Sequence, residues 1–189
     1  ILALNCETDF VAKNVDFVKL ADQFLDIALE ANPASLEELK MVPFEGTTVG
    51  EKVIEQIGII GEKLDLSYYE SIDADFVEAY IHPGNMLATL VGFTKDGIEK
   101  QVYRDIAMQV AAMSPVAVDK ENVSQEVIDR ELEIGMDQAR REGKPENLLE
   151  KIAQGKLGKF FKENTLLNQE FVKDNKQTIK QYLQSNDKE

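Results

Sequence analysis

A single cysteine, Cys6, and a single histidine, His82, stand among the 189 residues. One cysteine excludes an internal disulfide and any multi-cysteine metal site. With one of each, only one Cys–His nucleophilic pair is open. Cys6 alternates with Leu2 and Leu4, which predicts a structural thiol on the buried face of a strand. No apolar run approaches the ~20 residues of a membrane span, and no basic region followed by an apolar stretch opens the chain. No G-x-x-x-x-G-K-[ST], G-x-G-x-x-G or H-E-x-x-H pattern occurs, so neither a nucleotide, a metal nor another cofactor is expected to be bound. Close acid pairs such as Glu7 and Asp9 carry little signal for acid–base chemistry in a chain with 35 Asp and Glu. A chemical step of the chain's own is not expected.

Basic residues are scarce as well: 21 Lys and Arg leave a net charge of −14. The deficit is uneven, with 14 acids and 5 bases in residues 1–72 and an even balance of 4 and 4 in residues 165–189. A nucleic-acid binder needs concentrated Lys and Arg to replace counterions on phosphates. The first half is the electrostatic opposite, so the expectation is a cytoplasmic protein that works through a protein partner, with no direct nucleic acid and no membrane. Asn122-Val123-Ser124 fits a glycosylation sequon and is read as chance in that setting. What is present is ordinary for a folded domain: 43% hydrophobic and 30% charged residues.

The first segment reads as strand, loop and long helix. Leu20, Ala21, Phe24 and Ala28 take helical spacing opposite Asp22, Asp26 and Glu30, and Asn32-Pro33 ends the run. Ser35–Glu38 and Thr48–Glu51 are capping boxes, the second opening a helix with Val53, Ile57, Ile60 and Leu64 inward. Residues 66–72 and 75–81 read as extended, and 86–93 as a central strand. Asp96-Gly97 turns the chain into a helix carrying Val102, Ile106, Val110 and Met113, which stops at Ser114-Pro115. Strand, loop and helix near 1–33 and again near 86–115 hint at two related lobes, with coincidence the alternative. Ile128, Leu132, Gly135 and Ala139, then Leu149, Ile152, Ala153, Leu157, Phe160 and Phe161, line two helices. Gly143-Lys144-Pro145 joins them as an antiparallel hairpin. Its narrow stripes suit two-stranded packing and dimerisation alike, so a monomer, a homodimer and a 2:2 complex all stay open. Lys151, Lys156, Lys159 and Lys162 read as a solvated face, and Ile179, Tyr182 and Leu183 as a short final helix. The pattern divides the chain near Ser71-Ile72-Asp73 into two α+β lobes, 1–72 and 73–115, followed by the hairpin over 116–164 and a short helix with a polar tail over 165–189.

Two places invite a functional reading. Strand periodicity sets Phe10 on a face with Leu2, Leu4 and Cys6, which favours core packing. Thr8-Asp9 and Lys13-Asn14 instead put it on a loop, where an exposed aromatic is an anchor for a partner pocket. His82 precedes a rigid Pro83-Gly84 turn, and spacing alone reads it as a solvated turn residue.

The run from Asn5 to Asn14, Asn-Cys-Glu-Thr-Asp-Phe-Val-Ala-Lys-Asn, resembles the signature of the elongation factor Ts family. A second block is similar to that family's helical hairpin and return segment: Gly143-Lys144-Pro145, Glu150-Lys151-Ile152, Gly155-Lys156-Leu157, Lys159-Phe160-Phe161, Glu163, Leu166-Leu167 and Phe171-Val172-Lys173-Asp174. Tyr80-Ile81-His82 with Gly84 and Leu90-Val91 resembles a third. The resemblance implies an α+β fold of two subdomains with small antiparallel sheets packed on helices, the second interrupted by the hairpin. It implies a guanine-nucleotide exchange factor for the GTPase elongation factor Tu. Thr8, Asp9, Phe10 and Val11 would enter the GTPase domain near its magnesium, with His82 near the phosphate loop. It further implies a chain trimmed at both ends, without the family's N-terminal helical domain and a last strand, and with reduced exchange activity. Glu170 departs from a proline common in the family, a change expected to affect loop rigidity alone. A docking module that binds a GTPase without exchanging its nucleotide is the alternative.

Overall fold

The computed structural model describes residues 1–187, so Lys188 and Glu189 of the return segment lie outside the described residues. The chain divides into two compact units, Ile1–Thr94 and Lys95–Glu189. Both are α+β, built from two-stranded antiparallel sheets packed on helices. Among the described residues no helix is long and apolar enough to cross a membrane.

In the first unit, strand β1 (Leu2–Asn5) leads into helices α1 (Asp9–Ala12) and α2 (Val15–Ala31). Phe17, Leu20, Phe24 and Ala28 are the buried face of α2, the i, i+3, i+4 stripe of an amphipathic helix. Asn32 closes it in the left-handed region, at φ 45°. Helix α3 (Leu36–Met41) follows the Ser35 cap, which accepts from the Glu38 N–H. The box there is not reciprocal, because the Glu38 carboxylate accepts from the Ala34 N–H, one residue further back. A hairpin of β2 (Pro43–Phe44) and β3 (Thr47–Thr48) then turns the chain into α4 (Val49–Ile60). The Thr48–Glu51 capping box is complete. Gly61 at φ 78° ends α4, so Leu64, assigned to this helix from spacing, instead leads into β4 (Asp65–Tyr69) and is buried there.

β4 pairs antiparallel with β1 across a register shift between Ala3 and Leu4. The core under this pair joins Phe24, Leu39, Phe44, Val49, Val53, Leu64 and Leu66, with Phe24 and Phe44 edge-to-face at 5.3 Å. Strands β5 (Phe76–Ile81) and β6 (Ala88–Phe93) form a separate hairpin in register from Phe76↔Phe93 to Ile81↔Ala88. The apolar run at 86–93 is therefore one arm of a two-stranded ribbon and not a central strand. Its apolar residues serve contacts such as Gly92 against Ile72 and Ala74, where a Cβ would come within 2.9 Å of the Ile72 side chain.

In the second unit, α5 (Lys100–Met113) buries Val102, Tyr103, Ile106, Ala107 and Ala111. Val110 is half-buried and Met113 exposed, so the inward face sits about one position from the one the spacing predicts. Ser124 caps α6 (Gln125–Arg141), and Gly143 at φ 72° turns the chain toward α7 (Glu146–Asn164). Gly135 and Ala139 of α6 face Ala153, Leu149 and Leu157 as the buried stripes of the hairpin. The lysine face of α7 is met by acids: Lys156 by Glu142, Lys159 by Glu163 and Lys162 by Glu170. At the hairpin base, residues 116–118 run beside 164–167, with N–H donation from Leu166 to Ala117 and from Leu167 to Val118.

The return segment forms β7 (Glu170–Phe171), β8 (Asp174–Thr178) and α8 (Ile179–Asn186). It is tied back to α5 by buried polar pairs: the Gln109 amide donates to Gln169 Oε1 at 3.1 Å and accepts from the Val172 N–H at 3.0 Å. Glu170 thus lies in a strand, paired with Thr178, and not in a loop.

Candidate functional site

The segment after β1 is a helical turn where a loop was expected. Thr8, extended at φ −119° and ψ 152°, caps α1 by accepting from the Val11 N–H. Its carbonyl accepts from the Ala12 N–H at 3.1 Å. Asn14 then caps α2, its Oδ1 accepting from Asp16 at 2.8 Å and Phe17 at 3.3 Å. Two side-chain N-caps within seven residues start α1 and then α2, and the Lys13 backbone closes α1 between them, so α1 is a separate step between strand and long helix.

On that step the side chains sort by direction. Val11 packs on the core beside Leu2, Leu4 and Cys6. Phe10 points the other way and is 83% exposed, which removes it from the core that strand periodicity favours. Helical winding at Asp9 is the reason, since a face alternating every second residue ends where the backbone coils. Asp9 is exposed and pairs with Lys13 at 2.6 Å, one turn on. The hydrogen bond and charge of Lys13 hold the Asp9 carboxyl below the ordinary carboxylate value. An acid fixed as an anion therefore stands beside a bare aromatic ring.

His82 occupies the end of the β5–β6 ribbon. Its backbone N–H donates to Leu87 at 2.8 Å and its carbonyl accepts from Asn85 at 3.0 Å. Gly84 at φ 97° and Asn85 at φ 59° supply the left-handed residues of the turn. The ring Nδ1 lies 2.8 Å from the hydroxyl of buried Tyr80, which orients it while the ring edge stays open. Beside it Ile81 and Met86 are exposed. The structure thus gathers Thr8, Asp9, Phe10 and Val11 on one turn and sets His82 on a separate hairpin.

Cys6 is half-buried and not fully enclosed. Its Sγ donates to the Thr8 carbonyl at 3.3 Å. Burial and the nearby Glu62 carboxylate push the thiol up from its ordinary value. A nucleophilic cysteine needs the opposite shift, and the Nδ1 of His82 is engaged with Tyr80, so neither group carries a feature of a Cys–His pair. Among the described residues no three His, Cys, Asp or Glu side chains come together as a metal-ligating group.

One element of the site escapes local sequence reading. Glu62, 54 positions from Thr8, accepts from the Thr8 hydroxyl at 2.6 Å and the Thr8 N–H at 3.1 Å. Glu7 accepts from the Lys63 N–H at 3.1 Å. Elsewhere, the Asp105 carboxylate on α5 receives Lys173 at 2.8 Å, Tyr182 at 2.9 Å and Gln101 at 2.6 Å. No motif announced that cluster, since its members lie on α5, in the turn between β7 and β8, and on α8.

The sequence profile of the family described as Elongation factor TS matches residues 7–189. The chain is 53% identical over 189 residues to Elongation factor Ts of Porphyromonas gingivalis, covering 100% of this chain and 69% of that protein. It is 50% identical over 189 residues to Elongation factor Ts of Christiangramia forsetii, covering 99% of this chain and 68% of that one. It is 42% identical over 194 residues to Elongation factor Ts of Hydrogenobaculum sp., covering 98% of this chain and 69% of that one.

Proposed function

The chain belongs to the elongation factor Ts family, and from that premise we propose that it is a guanine-nucleotide exchange factor core for elongation factor Tu, acting in the cytoplasm. Its role in translation elongation is that of the family; the partner and the action on bound GDP are our reading. The observation that carries it is Phe10, 83% exposed on a turn that Thr8 caps and Asn14 sets off from α2. A soluble chain gains nothing from holding a phenylalanine in water, whereas a rigid exposed aromatic is the form a partner-pocket anchor takes.

Phe10 inserts as a wedge between helices of the GTPase near its magnesium, and the Asp9 carboxylate accompanies it. Mg²⁺ neutralises phosphate charge, so displacing it uncovers repulsion between the phosphates and neighbouring acids, and GDP leaves. Thr8 and Val11 hold the wedge from below, and His82 meets the same domain near its phosphate loop. No covalent step is needed. The organisation into 1–72, 73–115, the 116–164 hairpin and the 165–189 return segment goes with this reading, the hairpin holding a further part of the partner.

Linkage supplies the test. Whatever factor this chain takes from GDP affinity, GDP takes from the affinity of this chain. Titration calorimetry against nucleotide-free and GDP-loaded elongation factor Tu is expected to give much tighter binding to the empty form. Equal affinity for both would make the chain a docking module without exchange activity.

A further inference from the structure

Four residues do not make a helix unaided, because the first turn costs more order than its hydrogen bonds return. Something outside α1 must hold it, and the same must hold Phe10, whose ring is too exposed to be fixed by packing. Among the described residues, beside the local Cys6 Sγ bond to the Thr8 carbonyl, two contacts tie α1 and its cap to the rest of the unit. Val11 packs on the core, and the Glu62 carboxylate takes both donors of Thr8. The second contact is the directional one.

The hydrogen bonds run as a relay. The Val11 N–H donates to Thr8 Oγ1, whose own proton goes to Glu62 Oε1, while the Thr8 N–H goes to Glu62 Oε2. With its proton committed to a carboxylate, the Thr8 oxygen is free to accept, which is the role a cap needs. The relay is answered in the other direction, since Glu7 accepts from the Lys63 N–H. The Glu62 and Glu7 carboxylates therefore clasp the segment that follows β1 to the segment that precedes β4. Gly61, left-handed at φ 78°, makes the bend after α4 that delivers Glu62 and Lys63. The buried Leu64 and Leu66 anchor the far side of the clasp in the core.

We infer that Glu62 is a positioning residue for nucleotide exchange: through Thr8 it holds the Asp9–Phe10 turn in its wedge geometry before the partner arrives. This rests on the exchange function proposed above. A turn ordered in advance spares the complex the cost of ordering it, so binding free energy goes into opening the nucleotide site. Loss of Glu62 leaves Phe10 in place chemically but loosens its backbone. The defect then falls on the maximal rate of GDP release more than on the concentration of chain needed to reach half of it.

The test uses the full chain as Glu62→Ala and Glu62→Gln, each alone and combined with Phe10→Ala. Two readouts are taken: amide hydrogen exchange of the free chain, and fluorescent-GDP release from elongation factor Tu at saturating chain. Glu62→Ala is expected to speed exchange at the Val11, Ala12 and Lys13 amides while α2 and α4 stay protected. Its maximal release rate should fall on the order of ten-fold. Glu62→Gln, which keeps one acceptor oxygen, should fall between wild type and Glu62→Ala. In the Phe10→Ala background the Glu62 change should add nothing, since both act through one ring. Unchanged protection of the turn, an unchanged maximal rate, or additive losses would each overturn the inference. If the wild-type chain itself fails to speed release, the exchange reading falls and this role with it. The partner-free hydrogen exchange would still decide whether Glu62 holds the turn.

Discussion

Cys6 and Tyr182 show how local surroundings set chemistry at single residues. The Cys6 thiol, raised by burial and by Glu62, should react with iodoacetamide at pH 7.5 several-fold more slowly than a free cysteine. Rapid labelling with a midpoint below pH 7 would restore the nucleophile reading. Tyr182 is pushed up to about 12 by burial and by donating to Asp105. Burial alone would raise Asp105 too, but hydrogen bonds from Lys173, Gln101 and Tyr182 and the Lys173 charge bring it below the usual carboxylate value. The signs give a window. The depressed Asp105 contributes stability above its unfolded value, about 3.9, and loses it as pH falls through its lower folded value. The raised Tyr182 contributes stability below pH ~10 and loses it as pH rises toward about 12. Urea midpoints of Tyr182→Phe against wild type should therefore differ at pH 8 and converge by pH 12; a constant difference would contradict the linkage. The motif around Asp9 and Phe10 was legible because its residues are contiguous. Glu62 and the Asp105 cluster were not, because their partners are 54 and up to 77 positions away.

Among the elements, long amphipathic helices were legible and the shortest pieces were not. Helices α2, α6 and α7 each span four turns or more, so their apolar stripes repeat often enough to fix period and face. α1, β2, β3 and β7 have two to four residues each and contain no period to read; tertiary contacts create them. The same distinction separates the glycines of the hairpin. A Cβ on Gly135 would stand 3.1 Å from both the Cα and Cβ of Ala153, whereas Gly155 and Gly158 face open space. Gly135→Val should cost about 1–3 kcal/mol by prising the helices apart. Gly158→Ala should gain up to ~1 kcal/mol from helix propensity. Thermal denaturation of the two variants checks the contrast, and equal effects would mean the helices do not approach closely at Gly135.

At the scale of the whole chain, the residue pattern suggested α+β lobes and the family resemblance implied small antiparallel sheets, and the structure has that architecture. What they misjudged was strand partnership. The run at 86–93 is as apolar as a central strand, yet its packing partners come from Ile72 and Ala74 beside a two-stranded ribbon. Apolarity reports burial and says nothing about how many strands lie alongside. Charge bears on the partner: 17 acids against 5 bases lie within Ile1–Thr94, the unit that presents both Phe10 and His82. So acidic a surface suits a protein partner over a polyanion. The central claim, that this surface ejects GDP through the Phe10 wedge, is tested most directly by stopped-flow release of fluorescent GDP from elongation factor Tu. Wild-type chain is predicted to accelerate release markedly, and Phe10→Ala to lose at least ten-fold of that acceleration while still binding. Binding without any acceleration by the wild-type chain would contradict the account.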